Sequence, residues 1–319
     1  MSINYFRQLR GQPQAVELLQ QAIAKNRIAT AYLFVGPVGI GRSLAAKCFS
    51  EALLSLNLSP EQQLLVSKRV IQGNHPDLLW VEPSYQHQGQ LITAQEAEKL
   101  GVKRKAPPQI RIEQIREITR FLNRPPLEAS RALVVIEAAQ SMTEAAANAL
   151  LKTLEEPGQA TLILMAPSVD TLLATLVSRC QKIPFYRLSE EDLKTVLTEQ
   201  GQGEILNNTE VLALAQGSPG EAIAVHQQLQ TIPLELRQKL QQLPSSILGA
   251  LDLAKTISQE LDTQAQLWLI NYLQYYHWNQ TRNKPLLEQL EKAHQALLSY
   301  VQPRLVWECL LINCVNLIK

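Results

Sequence analysis

Short apolar runs alternate with longer stretches of helical spacing through the first 185 residues. The runs are Tyr32–Val35, Leu78–Val81, Leu133–Ile136, Leu162–Met165 and Ile183–Phe185. Alternation of this kind predicts a parallel α/β sheet with helices on both faces. After Phe185 the strand signal stops. Ser189 followed by Glu190, Glu191 and Asp192 reads as a helix N-cap with acids on the first turn. Gly217-Ser218-Pro219-Gly220 marks a break and restart, with Glu221–Leu229 as a short helix behind it. From about Pro233 the chain is rich in Leu and Gln at helical spacing, and Asp252–His277 and Pro285–Val301 are predicted as long helices. The expected organisation is an α/β domain over 1–186, a small helical domain over 187–232 and an all-helical domain over 233–319.

Composition narrows the class. Hydrophobic residues make up 46% and charged residues 18% of the 319, which excludes a disordered chain. Lys and Arg total 30 against 29 Asp and Glu, so neither a wholly basic coat nor an acidic tail is present. Cys48, Cys180, Cys309 and Cys314 form no CxxC pair, and buried, reduced thiols are expected. The opening MSINYFRQLR lacks the apolar run of a signal peptide, and no stretch approaches the roughly 18 apolar residues of a membrane span. A soluble cytoplasmic protein with no membrane partner is expected.

The first run leads straight into Gly36-Pro37-Val38-Gly39-Ile40-Gly41-Arg42-Ser43, with an Ala/Leu-rich helix from Leu44 to Leu54. The template is G-x4-G-K-[ST]: its glycines turn backbone N–H groups onto phosphates, and the following helix presents its positive end. Ser43 stands where a hydroxyl would hold Mg²⁺. Arg42 stands where the template has Lys, and a broad planar fork does not replace a compact point charge. A ligand-free Gly-rich turn is the plainer alternative.

The run from Arg131 to Ile136 ends in Glu137. In phosphate-loop proteins the strand beside the loop ends in an acid that holds Mg²⁺, often with a second acid that polarises water. Here Ala138 follows, so Glu137 is either half of that apparatus or a solvated charge at a strand end. Ala147, Leu150, Leu151 and Leu154 then share one helical face, with Thr143 as the cap and Pro157-Gly158 as the stop.

With these residues in view, NALLKTLEEP at 148–157 and LLATLVSRC at 172–180 resemble the bacterial clamp-loader AAA+ family. The opening FRQLRGQPQAVELLQQAI, the RIATAYLFVGPVGIGR segment and GNHPDLLWVEP at 73–83 are similar to the same family. The resemblance covers residue 6 to about 230. It implies an AAA+ P-loop domain with a five-stranded parallel sheet, a small helical lid and an all-α collar that carries oligomerisation. It further implies other clamp-loader subunits, a sliding clamp and primer-template DNA as partners.

That family contains ATP-hydrolysing motors and non-hydrolysing partner subunits, and four departures point to the second kind. Arg42 replaces the loop Lys, and Ala138 replaces the second acid. Ala166-Pro167 falls where the family has a polar sensor, and Gly220 falls where motor lids carry Arg. ATP binding is expected to be weak or absent, with Mg²⁺ only if nucleotide binds. Arg179 in Ser178-Arg179-Cys180 resembles the family's arginine finger, which reaches the ATP site of a neighbouring subunit; an arginine that pairs locally is the plainer reading. Many relatives in that family carry a four-cysteine zinc module before the HPD segment, but Leu56–Asn74 holds no Cys, so no zinc is expected and His75 reads as a turn residue. An active motor of the same family and an unrelated phosphate-loop kinase are the competing readings.

Residues 99–131 hold nine basic side chains (Lys99, Lys103, Arg104, Lys105, Arg111, Arg116, Arg120, Arg124 and Arg131) against three acids, a local excess of +6. Ile112, Ile115, Ile118 and Leu122 give the helix there an apolar face, and Arg116 and Arg120 point outward together. The resemblance implies that this helix faces DNA, by sequence-blind phosphate contacts. A solvated charged face is the alternative.

Overall fold

The computed structural model describes residues 5–100, 102, 107–155, 158–299 and 301–318. Seven strands are present among them: β1 Ala31–Val35, β2 Leu78–Val81, β3 Ser84–His87, β4 Gln90–Thr93, β5 Ala132–Ile136, β6 Ala160–Ala166 and β7 Gln181–Pro184. Five form one sheet in the order β2-β5-β6-β1-β7, and every pairing in it is parallel. All five apolar runs read from the sequence lie in this sheet. The last strand begins two residues earlier than its run, and Phe185 leaves it while still donating its N–H to the Val35 carbonyl at 2.7 Å.

Burial explains why these segments are strands. Every residue of β5 and β6 is buried, as are four of the five in β1. Such runs suit a sheet covered on both faces, and β2, at the edge, is only half-buried. Leu33, Val134, Ile136, Leu162 and Leu164 pack on one face against Ile115 and Ile118 of the helix Ile112–Leu122 and Ala147, Leu150 and Leu154 of the helix Glu144–Glu155. Side chains alternate along a strand, so Tyr32 and Phe34 point to the other face. There Tyr32 meets Phe49 of the helix Arg42–Leu54 edge-on, at 5.0 Å between ring centroids. Burying each such side chain is worth about 1.5–3 kcal/mol.

One expectation about the sheet is overturned. The strand that carries Glu137 is not beside the loop strand, because β6 lies between β5 and β1. A local apolar pattern encodes which segments are strands and not their lateral order.

Contact density divides the chain into two compact units: Met1–Asn207 with Gln216–Glu221, and Asn208–Ala215 with Ala222–Lys319. This distributes the 187–232 segment over both units, and the three-part division remains a proposal. In the first unit Ser189 caps the helix Glu190–Glu199, its side chain accepting from the Asp192 N–H. The second unit's described elements are all helices, joined by short connections. The expected single helix over 252–277 is two, Ile247–Glu260 and Thr263–Thr281, because Asp262 caps the second by accepting from the Ala265 N–H at 2.8 Å. The expected 285–301 helix spans Lys284–Leu298, and Pro303–Ile318 forms a further helix. Trp307, fully buried, donates its indole N–H to Gln266 at 2.9 Å.

Candidate functional site

Strand register brings the candidate residues to one edge of the sheet. Val35 pairs with Ala166, and Ile136 with Leu164, so Gly36, Glu137 and Pro167 all follow the carboxyl ends of neighbouring parallel strands. Ligands of open α/β sheets bind at this edge. The Gly36 N–H donates to the Ala166 carbonyl at 3.2 Å, and the Glu137 N–H to the Val81 carbonyl at 2.9 Å, fixing both segments to the sheet.

Pro37 and Val38 follow Gly36 around the loop, and Gly41, at φ 101°, opens the helix Arg42–Leu54. The helix therefore starts two residues before the expected Leu44. A cleft of about 300 Å³ lies against this turn, lined by Gly41, Arg42, Ser43, Glu137, Ala138 and Met165 among others. A second, of about 660 Å³, shares Gly39, Gly41 and Leu44 with the first and is lined by Leu9, Ile40, Leu188, Val196 and Pro219 among others. The Arg10–Glu199 ion pair, at 3.1 Å, belongs to residues of the second cleft.

Between the two clefts the loop is met by backbone. The Gly220 N–H donates to the Gly39 carbonyl at 2.9 Å, and the Ser218 hydroxyl donates to the Val38 carbonyl at 2.8 Å. A Cβ on Gly39 would stand 2.6 Å from the Ser218 hydroxyl oxygen and 2.8 Å from the Glu221 nitrogen, and Gly39 is also at φ +76°. The Gly217–Gly220 turn, read from sequence as a helix restart and as a place where Gly220 stands for the lid Arg, is thus seated on the phosphate loop. The glycine pair in the sequence was the available signal, since two backbones approach this closely only without side chains.

Two polar side chains of the loop, Arg42 and Ser43, line the first cleft. Burial lowers the Arg42 pKa, Glu137 opposing that shift, and Arg42 Nη1 is buried with no hydrogen-bond partner among the described residues. The Ser43 hydroxyl lies 3.9 Å from the Met165 sulfur. Ala138 follows Glu137 in the left-handed region, φ 46°, and carries no acid. Glu82, which sequence reasoning passed over, joins this end of the sheet. Burial raises its pKa, the charge of Glu137 adds to the shift, and Lys47 opposes it. Lys47 sits with its ammonium 5.6 Å from the Trp80 ring centroid.

Arg179 follows the short helix Ala174–Val177 beyond β6 and is exposed. Its Nη1 donates to the Thr175 carbonyl at 3.0 Å and its Nη2 to Glu155 Oε1 at 2.9 Å. Glu155 belongs to the KTLEEP segment, of which Glu156 and Pro157 lie outside the described residues. Arg179 thus does pair within the chain, as the plainer reading has it.

Arg116 and Arg120 are both exposed on the helix Ile112–Leu122, and Arg120 Nε lies 3.4 Å from the Arg116 carbonyl. Arg131 leaves the basic group: it is half-buried before β5 and donates to the Thr161 hydroxyl at 3.0 Å. Lys103, Arg104 and Lys105 lie outside the described residues. His75 is a turn residue, buried, with Nδ1 accepting from the Asp77 N–H at 3.1 Å. The buried Asp77 carboxylate accepts from the N–H groups of Leu127, Glu128 and Ala129 at 2.6–2.8 Å, which ties down the connection before β5. Among the described residues no cluster of three or more His, Cys, Asp or Glu is placed to hold a metal, and no helix is long and apolar enough to cross a membrane. Burial pushes the Cys48, Cys180 and Cys314 thiols up to about 11.

Comparison with known proteins adds a family to this geometry. A family described as "DNA polymerase III, delta subunit" matches residues 11–189, and one described as "Cyanobacterial DNA polymerase III delta prime, C-terminal domain" matches 191–314. DNA polymerase III subunit delta' of Bacillus subtilis (strain 168) is 32% identical over 203 residues, 63% of this chain and 55% of that protein. The subunit of the same name from Pseudomonas aeruginosa is 32% identical over 224 residues, 68% of this chain and 61% of that protein. The matches thus span less than two thirds of either relative. A crystal structure of a DNA polymerase III gamma subunit-related protein from Thermotoga maritima aligns with a TM-score of 0.54 at 17% identity, over 95% of this chain and 99% of that one, a likeness of fold. With both halves matched, the chain belongs to the DNA polymerase III delta-prime family.

Proposed function

We propose that this chain is the non-hydrolysing delta-prime subunit of a replicative clamp loader. In this reading it assembles with other clamp-loader subunits in the cytoplasm, helps load a sliding clamp onto primer-template DNA, and donates Arg179 to the ATP site of a neighbour. The observation that carries the reading is the seat of Gly220 on Gly39, which commits the phosphate loop to a contact within the chain. Arg42, the Ala138 that follows Glu137 and the side-chain-poor Ala166-Pro167 corner do not fit a hydrolytic nucleotide site. ATP binds weakly or not at all here, and Mg²⁺ only with it.

The chemistry falls to the neighbour's site. A guanidinium brought to a transferring phosphoryl group offsets its developing charge, an effect worth about 10³–10⁵ in rate. Arg179 is exposed and carries a fixed charge, both of which such a role needs. Lid and collar segments at 187–232 and 233–319 would place the chain within the assembly. Arg116 and Arg120 would contact phosphates of enclosed DNA through a salt-sensitive, sequence-blind attraction.

The test compares ATP turnover by the isolated chain with DNA-stimulated turnover by the reconstituted complex, with and without the chain. Negligible turnover alone, and a fall in the complex when it is omitted, are expected. Turnover near 1 s⁻¹ by the isolated chain (roughly the low end of ordinary enzyme rates) that disappears on mutating its phosphate loop would make it a motor instead.

A further inference from the structure

We propose that Glu155 is a positioning residue for Arg179, an inference that rests on the reading of Arg179 as a group acting in trans. Glu155 ends the helix Glu144–Glu155, and Arg179 stands just beyond the helix Ala174–Val177, which packs against it. Two acceptors hold the guanidinium, Glu155 Oε1 on Nη2 at 2.9 Å and the Thr175 carbonyl on Nη1 at 3.0 Å. The Ser178 hydroxyl donates to the same Thr175 carbonyl at 3.1 Å, so that oxygen accepts from two side chains of the turn.

A guanidinium has five N–H donors in a rigid fork. Two are engaged here, and the other three have no hydrogen-bond acceptor among the described residues. The side chains of Arg179 and Glu155 are 38% and 55% exposed. An ion pair at such exposure adds little to folding stability. What it does is remove rotamer freedom from a long side chain, which would otherwise be lost on meeting a phosphate. Glu155 therefore aims the fork while leaving donors for an anionic group of another chain.

The test reconstitutes the full-length chain, wild type or Glu155→Ala, Glu155→Gln, Arg179→Ala or the Ala/Ala double variant, with its partner subunits. It reads DNA-stimulated ATPase, confirms assembly by gel filtration and checks thermal unfolding of each variant. Glu155→Ala should lower kcat about 2- to 5-fold, the size of an exposed ion pair, with KM for ATP unchanged. Glu155→Gln, whose amide oxygen still accepts, should recover at least half of that loss. In the Arg179→Ala background, Glu155→Ala should change nothing. A rate unchanged or raised by Glu155→Ala, while Arg179→Ala lowers it, overturns the positioning role and leaves the finger standing. A Glu155→Ala loss that persists without Arg179, or a Gln variant no better than Ala, overturns it as well. An Arg179→Ala complex as fast as wild type removes the finger, and the positioning role with it.

Discussion

Gly39 and Gly220 meet backbone to backbone, 181 residues apart in the chain. The Gly220 N–H donates to the Gly39 carbonyl at 2.9 Å, and a Cβ on Gly220 would stand 2.6 Å from the Gly39 Cα. Neither position has room for a side chain. Gly39→Ala combines that clash with a left-handed φ of +76°, and should lower the unfolding free energy by about 3 kcal/mol. Gly73→Ala is the control. Its φ is +70° but nothing lies within 4 Å of the added Cβ, so it should lose only about 1–2 kcal/mol. Urea unfolding of both variants measures the difference; equal losses would mean that the turn at 217–220 does not bear on the loop.

Restoring one residue should not restore hydrolysis. Arg42→Lys puts the template's point charge into the loop, but Ala138, Ala166 and Gly220 are unchanged. The variant's turnover, measured with the isolated chain, should stay at background. A rise of tenfold or more above wild type would show that the loop cation alone keeps this site silent.

Asp77 should be costly to change. Its carboxylate is buried and accepts three backbone N–H groups from 127–129. Asp77→Asn turns one acceptor oxygen into a donor that faces those donors, and should cost about 1–3 kcal/mol. Faster amide exchange at Leu127, Glu128 and Ala129 should accompany the loss.

Two histidines make stability depend on pH. Burial lowers the pKa of His75, against the raising charges of Asp77 and Glu128 and with the lowering charge of Arg69. Burial likewise lowers that of His277, against its bond to the Leu240 carbonyl. The fold therefore favours the neutral form of both. Their contribution is full above the unfolded value of 6.5 and is lost as pH falls through the lower folded values. The loss can reach about 1.4 kcal/mol per pH unit for each histidine. His75→Asn, whose side-chain oxygen can accept the same Asp77 N–H, should flatten the dependence when urea unfolding at pH 7.5 and 5.5 is compared.

Much of the α/β part was legible because its strands are short, continuous apolar runs that a doubly covered sheet buries whole. The hairpin β3–β4 was not, because Ser84–His87 and Gln90–Thr93 are mostly polar or half-exposed. Its signal was the turn, where Gln88 and Gly89 adopt φ of 48° and 81°, a two-residue loop of the kind hairpins use. The break at Asp262 was hidden by apolar spacing that continues across it. At the candidate site, sequence singled out residues one at a time, the Gly36–Ser43 loop, Glu137 and Arg179, whose roles are proposals. What sequence did not disclose was pairing across distance, Gly39 with Gly220 and Arg179 with Glu155, since each partner alone reads as a turn or a solvated charge.

The central claim, that Arg179 serves a neighbouring subunit, is tested most directly by DNA-stimulated ATPase of the reconstituted complex carrying Arg179→Ala. The variant should fold and assemble as wild type does, because its exposed pair with Glu155 contributes at most about 1 kcal/mol. The complex should hydrolyse ATP and load the clamp more slowly at the interface this chain serves, and Arg179→Lys should rescue poorly, having lost the planar fork. Equal rates with mutant and wild-type chain, assembly being confirmed, would contradict the claim.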